Sequence, residues 1–400
     1  MAMKENRKLR VVLPFRTTMN FHNSYDGGCK YIYNFSRYLA RAGVDVTIVT
    51  SLTKDPNLRE AEEDGVKYKF IGPDLSEEKR WLPFNAPSKL AFSWNLSRTL
   101  KKMDFDILHS FEMLAYFYLH GQKKKPTIFQ GWGLEPIYGP ESLRQRGWRK
   151  FLTNLTVKKP WLYCMEKSDK IASEGDFQLD MVKNLGFSEK KIFPLLIGTD
   201  LELIGKYKKS WKDMRESIGI KKNDYLILSV CQIAPDKGIA DMINAFDIVK
   251  KRIPDAKLLM IGGGPLEEMM HEMIEKLGLR DSVIHRKGIP EKELYDYYFS
   301  SNSYISAATQ HDWIMGVAEA MACELPVVSS AQPFLVRDGE NGFVVGMENP
   351  KGLAEALIKV KEKGLEKKFG LAGKKFAQEY SWENISKVAI KVYEDLLKKS

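Results

Sequence analysis

The sequence predicts an α/β protein built from two doubly wound, Rossmann-like units, each with a parallel sheet. Short apolar runs of strand length alternate with helical patterns in the first half of the chain, and the alternation restarts near Tyr225. Such alternation is typical of parallel sheets with helices on both faces. The length of 400 residues and the hydrophobic content of 44% suit two to three domains with ample cores.

The predicted strands fall into two groups, with helices expected in most of the gaps between them. The first group comprises Leu9–Leu13, Val46–Thr50, Lys67–Ile71, Ile107–His109, Thr127–Phe129 and Lys170–Ala172. The second group comprises Tyr225–Val230, Lys257–Ile261, Ser282–His285, Ser303–Ser306, Val327–Ser329 and Phe343–Val345. Each group is long enough to form a sheet of its own.

The junction between the groups is predicted near residues 193–203, where Pro194 and Gly198 interrupt the pattern before a Lys-rich segment. We therefore expect an N-terminal domain over residues 1–195 and a C-terminal domain over residues 196–381. A last helix is predicted over about residues 382–400, with Ser381 as its N-cap.

Composition and motifs disfavour several classes of protein. No apolar run reaches the ~18 residues of a spanning helix, and the N-terminus lacks the apolar stretch of a signal peptide. We therefore expect a cytoplasmic location. The 4 cysteines have neither a metal-ligand spacing nor an obvious disulfide framework, so we expect no metal site and reduced, mostly structural cysteines. No Walker A sequence occurs, and Glu267 replaces the third glycine of a dinucleotide fingerprint that begins at Gly262.

Positive charge is concentrated in the first half of the chain. Residues 1–200 carry 32 Lys and Arg against 23 Asp and Glu, a balance of +9, while residues 201–400 carry 30 against 29, or +1. Within residues 144–161, basic residues and the aromatic residues Trp148, Phe151 and Trp161 occur without an acid. Basic residues attract anionic headgroups at about 1 kcal/mol each, and Trp prefers the bilayer interface. The segment predicts either peripheral contact with the inner face of the cell membrane or a solvated helix over buried aromatics; no nucleic-acid-binding signature accompanies it.

A predicted strand, loop and helix over residues 304–323 form the strongest candidate ligand site. Unpaired N–H groups and the positive end of the dipole at a helix start favour a diphosphate, so the candidate phosphate ligands are Met315, Gly316 and Val317. Glu319, one turn further on, could accept hydrogen bonds from two neighbouring ribose hydroxyls. The ordinary alternative is a Glu that complements the helix dipole.

Other loops beyond predicted strands offer weaker candidates. The backbone at Gly28, which precedes a predicted helix, could approach a phosphate, although two adjacent glycines are ordinarily a tight turn. Gln130 can hydrogen-bond a hydroxyl but cannot change protonation near neutral pH, and Trp132 could stack on a sugar. His109, at a strand end, is more often a structural residue than a catalyst.

These segments resemble the family 4 retaining glycosyltransferases, which have the GT-B fold of two Rossmann-like domains facing a cleft. The matching residues are Glu319-Ala320-Met321-Ala322, Pro326-Val327-Val328, Lys237-Gly238, Gly262-Gly263-Gly264-Pro265 and Asp338-Gly339-Glu340-Asn341-Gly342-Phe343. The resemblance implies a hexosyltransferase-type enzyme that transfers a sugar with retention and without a metal or other cofactor. It implies a UDP- or GDP-sugar donor in the C-terminal domain and a glycan or lipid-linked acceptor in the N-terminal domain, to which the last helix returns.

The resemblance also implies roles for individual residues. Lys237 and Gln232 would stabilise the leaving diphosphate, and His311, with Asp312 beside it, would contact the donor sugar. The nucleotide base would lie against the segment 285–289, and the residues of that segment taken as ligands are Arg286, Lys287 and Ile289. The acceptor or sugar side would include Gln130, Trp132 and His109.

Four residues depart from the family pattern at positions tied to donor chemistry or to the turn beside it. His311 replaces a Glu, Gln232 an Arg, Gln130 a His and Glu324 a Gly. These departures suggest an unusual donor or reduced catalysis. The alternative is therefore a non-catalytic GT-B subunit that binds a sugar nucleotide or lipid carrier; a GT-B epimerase would need acids and bases around the sugar that the sequence does not offer.

Overall fold

The computed structural model describes residues 7–22, 27–55, 57–72, 75, 86–121, 125–131, 146–309, 315–330 and 335–399. The chain divides into two compact units, Met1–Gly198 with Trp382–Ser400, and Thr199–Ser381. The division falls three residues beyond the boundary expected between residues 195 and 196. The C-terminal residues belong to the first unit.

The first unit contains a sheet in the order β3-β4-β2-β1-β5-β6-β7-β8. Its strands are β1 Arg10–Pro14, β2 Asp45–Ser51, β3 Glu60–Glu63, β4 Val66–Ile71, β5 Ile107–Phe111, β6 Thr127–Gln130, β7 Lys170–Ser173 and β8 Ile192–Pro194. All paired neighbours are parallel except β3, which is antiparallel to β4. Strands β3 and β8 were not predicted from the sequence, because β3 is a mostly charged edge strand and β8 has three residues and ends in Pro.

Helices cover the first sheet. They are Met19–His22, Gly27–Arg41, Ala86–Leu100, Tyr116–His120, Gly147–Thr153, Lys159–Lys167, Asp176–Asn184 and Trp382–Leu397, with a π-helical turn over Asn154–Lys158. The helix Gly27–Arg41 buries Tyr31, and the Tyr31 ring meets the Trp382 ring edge-on with centroids 5.1 Å apart. This contact packs the last helix against the first long helix of the unit.

The second unit contains a wholly parallel sheet in the order β11-β10-β9-β12-β13-β14. Its strands are β9 Tyr225–Val230, β10 Ala256–Ile261, β11 Val283–Arg286, β12 Ser303–Ser306, β13 Val327–Ser330 and β14 Gly342–Val345. All six were predicted, and no strand end differs from the prediction by more than one residue. Buried runs that contain aliphatic and aromatic residues, as in β9 and β10, made these strands recognisable in the sequence.

The helices of the second unit pack on both faces of its sheet. They are Leu201–Lys209, Ile239–Arg252, Glu267–Lys276, Glu291–Ser300, Met315–Ala322, Pro350–Glu362 and Glu366–Glu379. Two of them begin at side-chain caps: Asp200 accepts a hydrogen bond from the Leu203 N–H at 3.0 Å, and Asn349 accepts one from the Gly352 N–H at 2.9 Å. Such caps satisfy N–H groups that a helix start leaves unpaired.

Each sheet has one point at which the chain reverses its direction of growth. In the first sheet this point lies between β1 and β5, and in the second between β9 and β12. Loops that leave the carboxyl ends of two such strands diverge to opposite faces of the sheet. The crevice between them is where open α/β sheets bind ligands.

Candidate functional site

Three loops meet at the carboxyl edge of the second sheet, next to the reversal between β9 and β12. The Thr309 N–H, beyond β12, donates to the Asp236 carbonyl at 3.0 Å, and so joins the loops that follow β12 and β9. The Ile233 N–H, beyond β9, donates to the Gly263 carbonyl at 3.0 Å and joins the loop that follows β10. The crevice is therefore lined by a hydrogen-bonded set of backbone segments.

Glycines allow these loops to approach one another. Gly238 has a φ of +62°, and a Cβ at this position would lie 1.8 Å from the Ala307 carbonyl oxygen. At Gly316 a Cβ would lie 2.4 Å from the Tyr304 hydroxyl and 2.7 Å from the Val230 carbonyl oxygen. The helix Met315–Ala322 therefore starts close to the end of β9, with the N–H groups of its first turn at the crevice.

Lys237 and Gln232 lie on the same loop, between β9 and the helix Ile239–Arg252. Lys237 ends a short 3-10 turn, and its Nζ lies 2.5 Å from the Asp236 carboxylate, with a quarter of the side chain exposed. The Gln232 side chain is exposed. His311 and Asp312 lie outside the described residues. The loop therefore presents one partly exposed cation and one amide at the reversal point.

The Glu319 carboxylate is buried, with a relative exposure of 7%. The Tyr295 hydroxyl donates to Oε1 at 3.2 Å, and the Tyr298 hydroxyl donates to Oε2 at 3.1 Å. Burial, together with the neighbouring Glu319 charge, raises the pKa of both tyrosines well above their ordinary value, so both hydroxyls remain proton donors. Each oxygen of Glu319 is therefore held by a specific donor.

The residues expected near the nucleotide base lie beside the loop that follows β10. Arg286 is the last residue of β11, and Ile289 is half-buried beyond it. The Lys287 Nζ lies 2.7 Å from the Glu267 carboxylate, whose other oxygen accepts the Gly264 N–H at 2.9 Å. The hydrogen bond from Lys287 lowers the pKa of Glu267. Glu267, which breaks the dinucleotide fingerprint, thus fixes this loop.

In the first unit, His109 and Gln130 are fully buried in one hydrogen-bonded network. Gln130 Oε1 accepts from the Tyr31 hydroxyl at 3.2 Å and from His109 Nε2 at 3.0 Å. Nδ1 of His109 accepts from the Tyr393 hydroxyl at 2.7 Å, and burial lowers the pKa of His109 to about 3. This environment favours the structural role that the sequence already allowed for His109. It places the Gln130 side chain in the interior as well.

Two further residues of the first unit complete the comparison with the sequence. Gly28 is the second residue of the helix Gly27–Arg41 and is half-buried. Trp132 lies outside the described residues. The structure therefore groups Lys237 and Gln232 on one loop and Glu319 with Gly316 on one helix, and it holds His109 and Gln130 together in the core of the first unit.

Glu324, which replaces the glycine of the family pattern, keeps a backbone conformation that favours glycine. Its φ is +64°, in the left-handed region that favours glycine, and its carbonyl oxygen would be only 2.0 Å from a Cβ at Gly370. The side chain forms ion pairs with Lys208 at 2.7 Å and Lys374 at 2.8 Å, which lower the pKa of its carboxyl group. The departure at Glu324 therefore lies in a left-handed turn after the helix Met315–Ala322, where two lysines hold the side chain.

A buried ion pair that was not predicted from the sequence lies at the carboxyl edge of the first sheet. Lys89 and Glu112 lie 2.7 Å apart, with side-chain exposures of 8% and 13%. Glu112 directly follows β5 and has a φ of +52°. Backbone strain and buried charge often occur together at functional sites. No local pattern in the sequence distinguishes this Lys or this Glu from exposed ones.

The basic, aromatic segment forms a continuous helical stretch from Gly147 to Lys167. Trp161 is buried, as one alternative predicted, but Trp148, Phe151 and Leu155 are 64%, 66% and 48% exposed. Their spacing of three and four residues places them on one side of the helix. Within the described ranges, no helix has the length and apolar character to cross a membrane, and no set of three His, Cys, Asp or Glu is arranged to hold a metal.

Comparison with known families identifies both halves of the chain. Residues 25–203 match the family model described as Glycosyltransferase Family 4, and residues 211–376 match the model described as Glycosyl transferases group 1. The chain belongs to glycosyltransferase family 4. The family predicted from Glu319, Lys237 and the neighbouring motifs is therefore confirmed.

Individual relatives of this family 4 glycosyltransferase are distant in sequence. An uncharacterised glycosyltransferase of Methanocaldococcus jannaschii is 28% identical over 46% of this chain and 49% of its own length. The GDP-mannose-dependent alpha-(1-6)-phosphatidylinositol monomannoside mannosyltransferase of Mycolicibacterium smegmatis is 30% identical over 33% of this chain and 37% of its own. The D-inositol 3-phosphate glycosyltransferase of Acidothermus cellulolyticus is 22% identical over 92% of this chain and 85% of its own. The chain thus spans about half or less of the first two relatives.

Solved structures confirm the fold of this family 4 glycosyltransferase. Sucrose-phosphate synthase from Thermosynechococcus elongatus matches with a TM-score of 0.80 at 18% identity, over 98% of this chain and 100% of that one. Anabaena HepE in complex with UDP-glucose matches with a TM-score of 0.71 at 13% identity, over 97% and 100%. The prediction of two Rossmann-like α/β domains of the GT-B type is therefore confirmed.

Proposed function

We propose that the protein transfers a sugar from a nucleotide-sugar to an acceptor, with retention of the anomeric configuration and without a catalytic metal. The observation that carries this proposal is the crevice of the second unit, where the Lys237 loop and the helix of Glu319 meet at the sheet reversal. Open α/β sheets bind ligands at such points, and an unpaired helix N-terminus favours a diphosphate. Family membership supports the same reaction class.

The chemistry assigned to the crevice requires a group that stabilises negative charge. As the bond between the anomeric carbon and the diphosphate oxygen breaks, Lys237 and the first N–H groups of Met315–Ala322 would stabilise the charge on the departing diphosphate. The acceptor oxygen bonds to the anomeric carbon from the same face, and its proton passes to the diphosphate. Lys237 carries more of this task than usual in the family, because Gln232 supplies no charge.

We assign the donor to the second unit as a UDP- or GDP-sugar. Glu319 would accept hydrogen bonds from the ribose, and Arg286, Lys287 and Ile289 would flank the base. HepE binds UDP-glucose in the same fold, and one relative is a GDP-mannose-dependent enzyme. His311 would contact the sugar from the part of the chain that lies outside the described residues.

We assign the acceptor to the first unit as a glycan or a lipid-linked molecule at the inner face of the cell membrane. The exposed side of the stretch 147–167 carries Trp148, Phe151 and Leu155, and the exposed basic residues around it are Arg146, Arg149, Lys150 and Lys159. An apolar side bordered by cations suits a bilayer surface with anionic headgroups. The mycolicibacterial relative acts on a phosphatidylinositol mannoside, which fits a lipid-linked acceptor.

A nucleotide screen by thermal shift tests the proposal. Wild-type protein is heated with UDP, GDP, ADP, CMP and their common sugar conjugates, with Glu319→Ala as the variant. At ~100 Kd, a ligand of the folded state adds ~2.7 kcal/mol of apparent stability. We expect a shift with one base that is lost in Glu319→Ala. The absence of any shift would contradict a nucleotide-sugar site.

The sugar nucleotide that raises the thermal stability is then tested as a substrate, because turnover distinguishes an enzyme from a non-catalytic subunit. Release of nucleoside diphosphate is measured for wild type, Lys237→Ala and Lys276→Ala, the last an exposed lysine elsewhere in the second unit. We expect turnover to be abolished only in Lys237→Ala. Nucleotide binding without turnover in wild type, even with glycan and lipid-linked acceptors added, would instead favour the non-catalytic GT-B subunit.

A further inference from the structure

Two tyrosines hold the Glu319 carboxylate from the helix Glu291–Ser300. Tyr295 and Tyr298 are three residues apart and therefore face the same side of this helix. One hydroxyl reaches Oε1 at 3.2 Å, and the other reaches Oε2 at 3.1 Å. The plane of the carboxylate is thus set by buried donors on a neighbouring helix.

The tyrosines are themselves fixed by their surroundings. The Tyr298 ring stacks on that of Tyr304 with centroids 6.1 Å apart, and the Tyr304 hydroxyl donates to the Val230 carbonyl at 2.9 Å. The Tyr295 ring lies between those of Tyr207 and Tyr298, at 5.4 and 5.7 Å. Val230 ends β9, so this chain of contacts couples the orientation of Glu319 to the floor of the crevice.

We propose that Tyr295 and Tyr298 are positioning residues that hold Glu319 to select donors with an intact ribose, an inference that rests on the proposed function. Sugars on 2′-deoxyribonucleotides are rejected, and so are sugars on lipid phosphates, which have no ribose. The tyrosines contact the Glu319 carboxylate, so they act through it.

The selection follows from the hydrogen-bonding capacity of a buried carboxylate. A carboxylate offers about four acceptor positions, and the two tyrosines engage one on each oxygen. The 2′ and 3′ hydroxyls of ribose are neighbouring donors that match a carboxylate held in a fixed plane. A site built to bond a hydroxyl rejects the analogue that lacks it, because the charged acceptor loses a partner. One such bond corresponds to roughly a tenfold to hundredfold preference.

A matched control lies on the same helix. Tyr297 is buried like its neighbours, but its hydroxyl donates to Glu293 at 3.4 Å and also interacts with Arg286. Arg286 would flank the base, which a ribonucleotide and its 2′-deoxy counterpart share, so its loss would not change the preference between them. Tyr297→Phe therefore removes a buried hydroxyl from this helix without removing a donor to Glu319. Any effect on packing or stability alone should appear in Tyr297→Phe as well as in Tyr295→Phe and Tyr298→Phe.

The experiment compares dissociation constants for UDP, GDP and ADP with those for their 2′-deoxy counterparts. Wild type and Tyr297→Phe should prefer the ribonucleotide roughly tenfold or more. In Tyr295→Phe/Tyr298→Phe the preference should fall to less than about threefold, mainly through weaker ribonucleotide binding.

Each outcome bears on the inference. An unchanged preference in the double variant would overturn the role of the tyrosines and leave the proposed function standing. Wild type that binds none of the three ribonucleotides would overturn both. If circular dichroism shows that the double variant is unfolded, Glu319→Gln takes its place, and a retained ribose preference there would overturn the inference.

Discussion

The Nδ1 atom of His109 lies 2.7 Å from the hydroxyl of Tyr393, although 284 residues separate them in the sequence. His109 is in β5, and Tyr393 is in the last helix, Trp382–Leu397. The other ring nitrogen of His109 donates to Gln130 at 3.0 Å. The imidazole is therefore neutral and links the C-terminal helix to the centre of the first sheet.

This neutral His109 predicts that acid destabilises the first unit. Its pKa falls from 6.5 to about 3 on folding, so the unfolded chain binds the proton more tightly. Its contribution to stability is complete above pH 6.5 and is lost as the pH falls toward 3, at about 1.4 kcal/mol per pH unit. Urea unfolding across this range should show the loss in wild type. An equal loss in His109→Gln would contradict the assignment.

The left-handed backbone at Glu324 predicts different effects for two substitutions. Glu324→Ala keeps the strain and loses the ion pairs with Lys208 and Lys374. Glu324→Gly also loses the ion pairs but relieves the strain, which costs ~1 kcal/mol for a residue with a side chain. We expect Glu324→Gly to be about 1 kcal/mol more stable than Glu324→Ala in chemical denaturation. Equal stability would argue against backbone strain at this position.

The buried Lys89–Glu112 pair predicts a large cost for removing one partner. Burial acts to raise the pKa of Glu112, but the charges of Lys89 and Arg16 outweigh burial and lower the pKa. Lys89→Met should destabilise the protein by ~3–5 kcal/mol at neutral pH, because Glu112 would remain buried without its ion-pair partner.

The difference in free energy of unfolding between wild type and Lys89→Met should shrink as the pH falls below 4.5, the ordinary pKa of Glu. A carboxyl group whose pKa is lowered by folding contributes its full stability only above its ordinary pKa, and that stability is lost as the pH falls through the lowered value. Urea unfolding of both proteins measures this difference. Lys89→Met/Glu112→Gln serves as the control, and it should recover part of the lost stability. If Lys89→Met were as stable as wild type at neutral pH, the Lys89–Glu112 ion pair would not contribute to stability.

The exposed side of the stretch 147–167 predicts binding to anionic vesicles. Trp148→Ser/Phe151→Ser should reduce co-sedimentation with phosphatidylglycerol vesicles by roughly tenfold or more, because each aromatic ring buries a large area at the bilayer interface. Trp211→Ser is the matched control, since Trp211 is 41% exposed on the second unit. If the double variant bound the vesicles as well as wild type does, this surface would be ruled out as the membrane-binding site.

The parallel sheets were predictable because their strands are buried on both faces. Strand β9 has five buried residues in a row, four of them apolar, and such a run is visible in the sequence without knowledge of its neighbours. The edge strand β3 has a single half-buried residue among exposed ones, so no pattern marked it. The family motifs at Lys237 and Glu319 were visible for a similar reason, since each is a short local string.

The sequence by itself determined two α/β sheets, the family, and the loop and helix that carry Lys237 and Glu319. Only the tertiary structure decided that Glu319 is held by Tyr295 and Tyr298, and that His109 is an interior residue bonded to Tyr393. Local strings encode strands, turns and helix starts, because those depend on neighbouring residues. Burial and hydrogen-bond partners depend on residues that are distant in sequence, and only the folded chain brings them together.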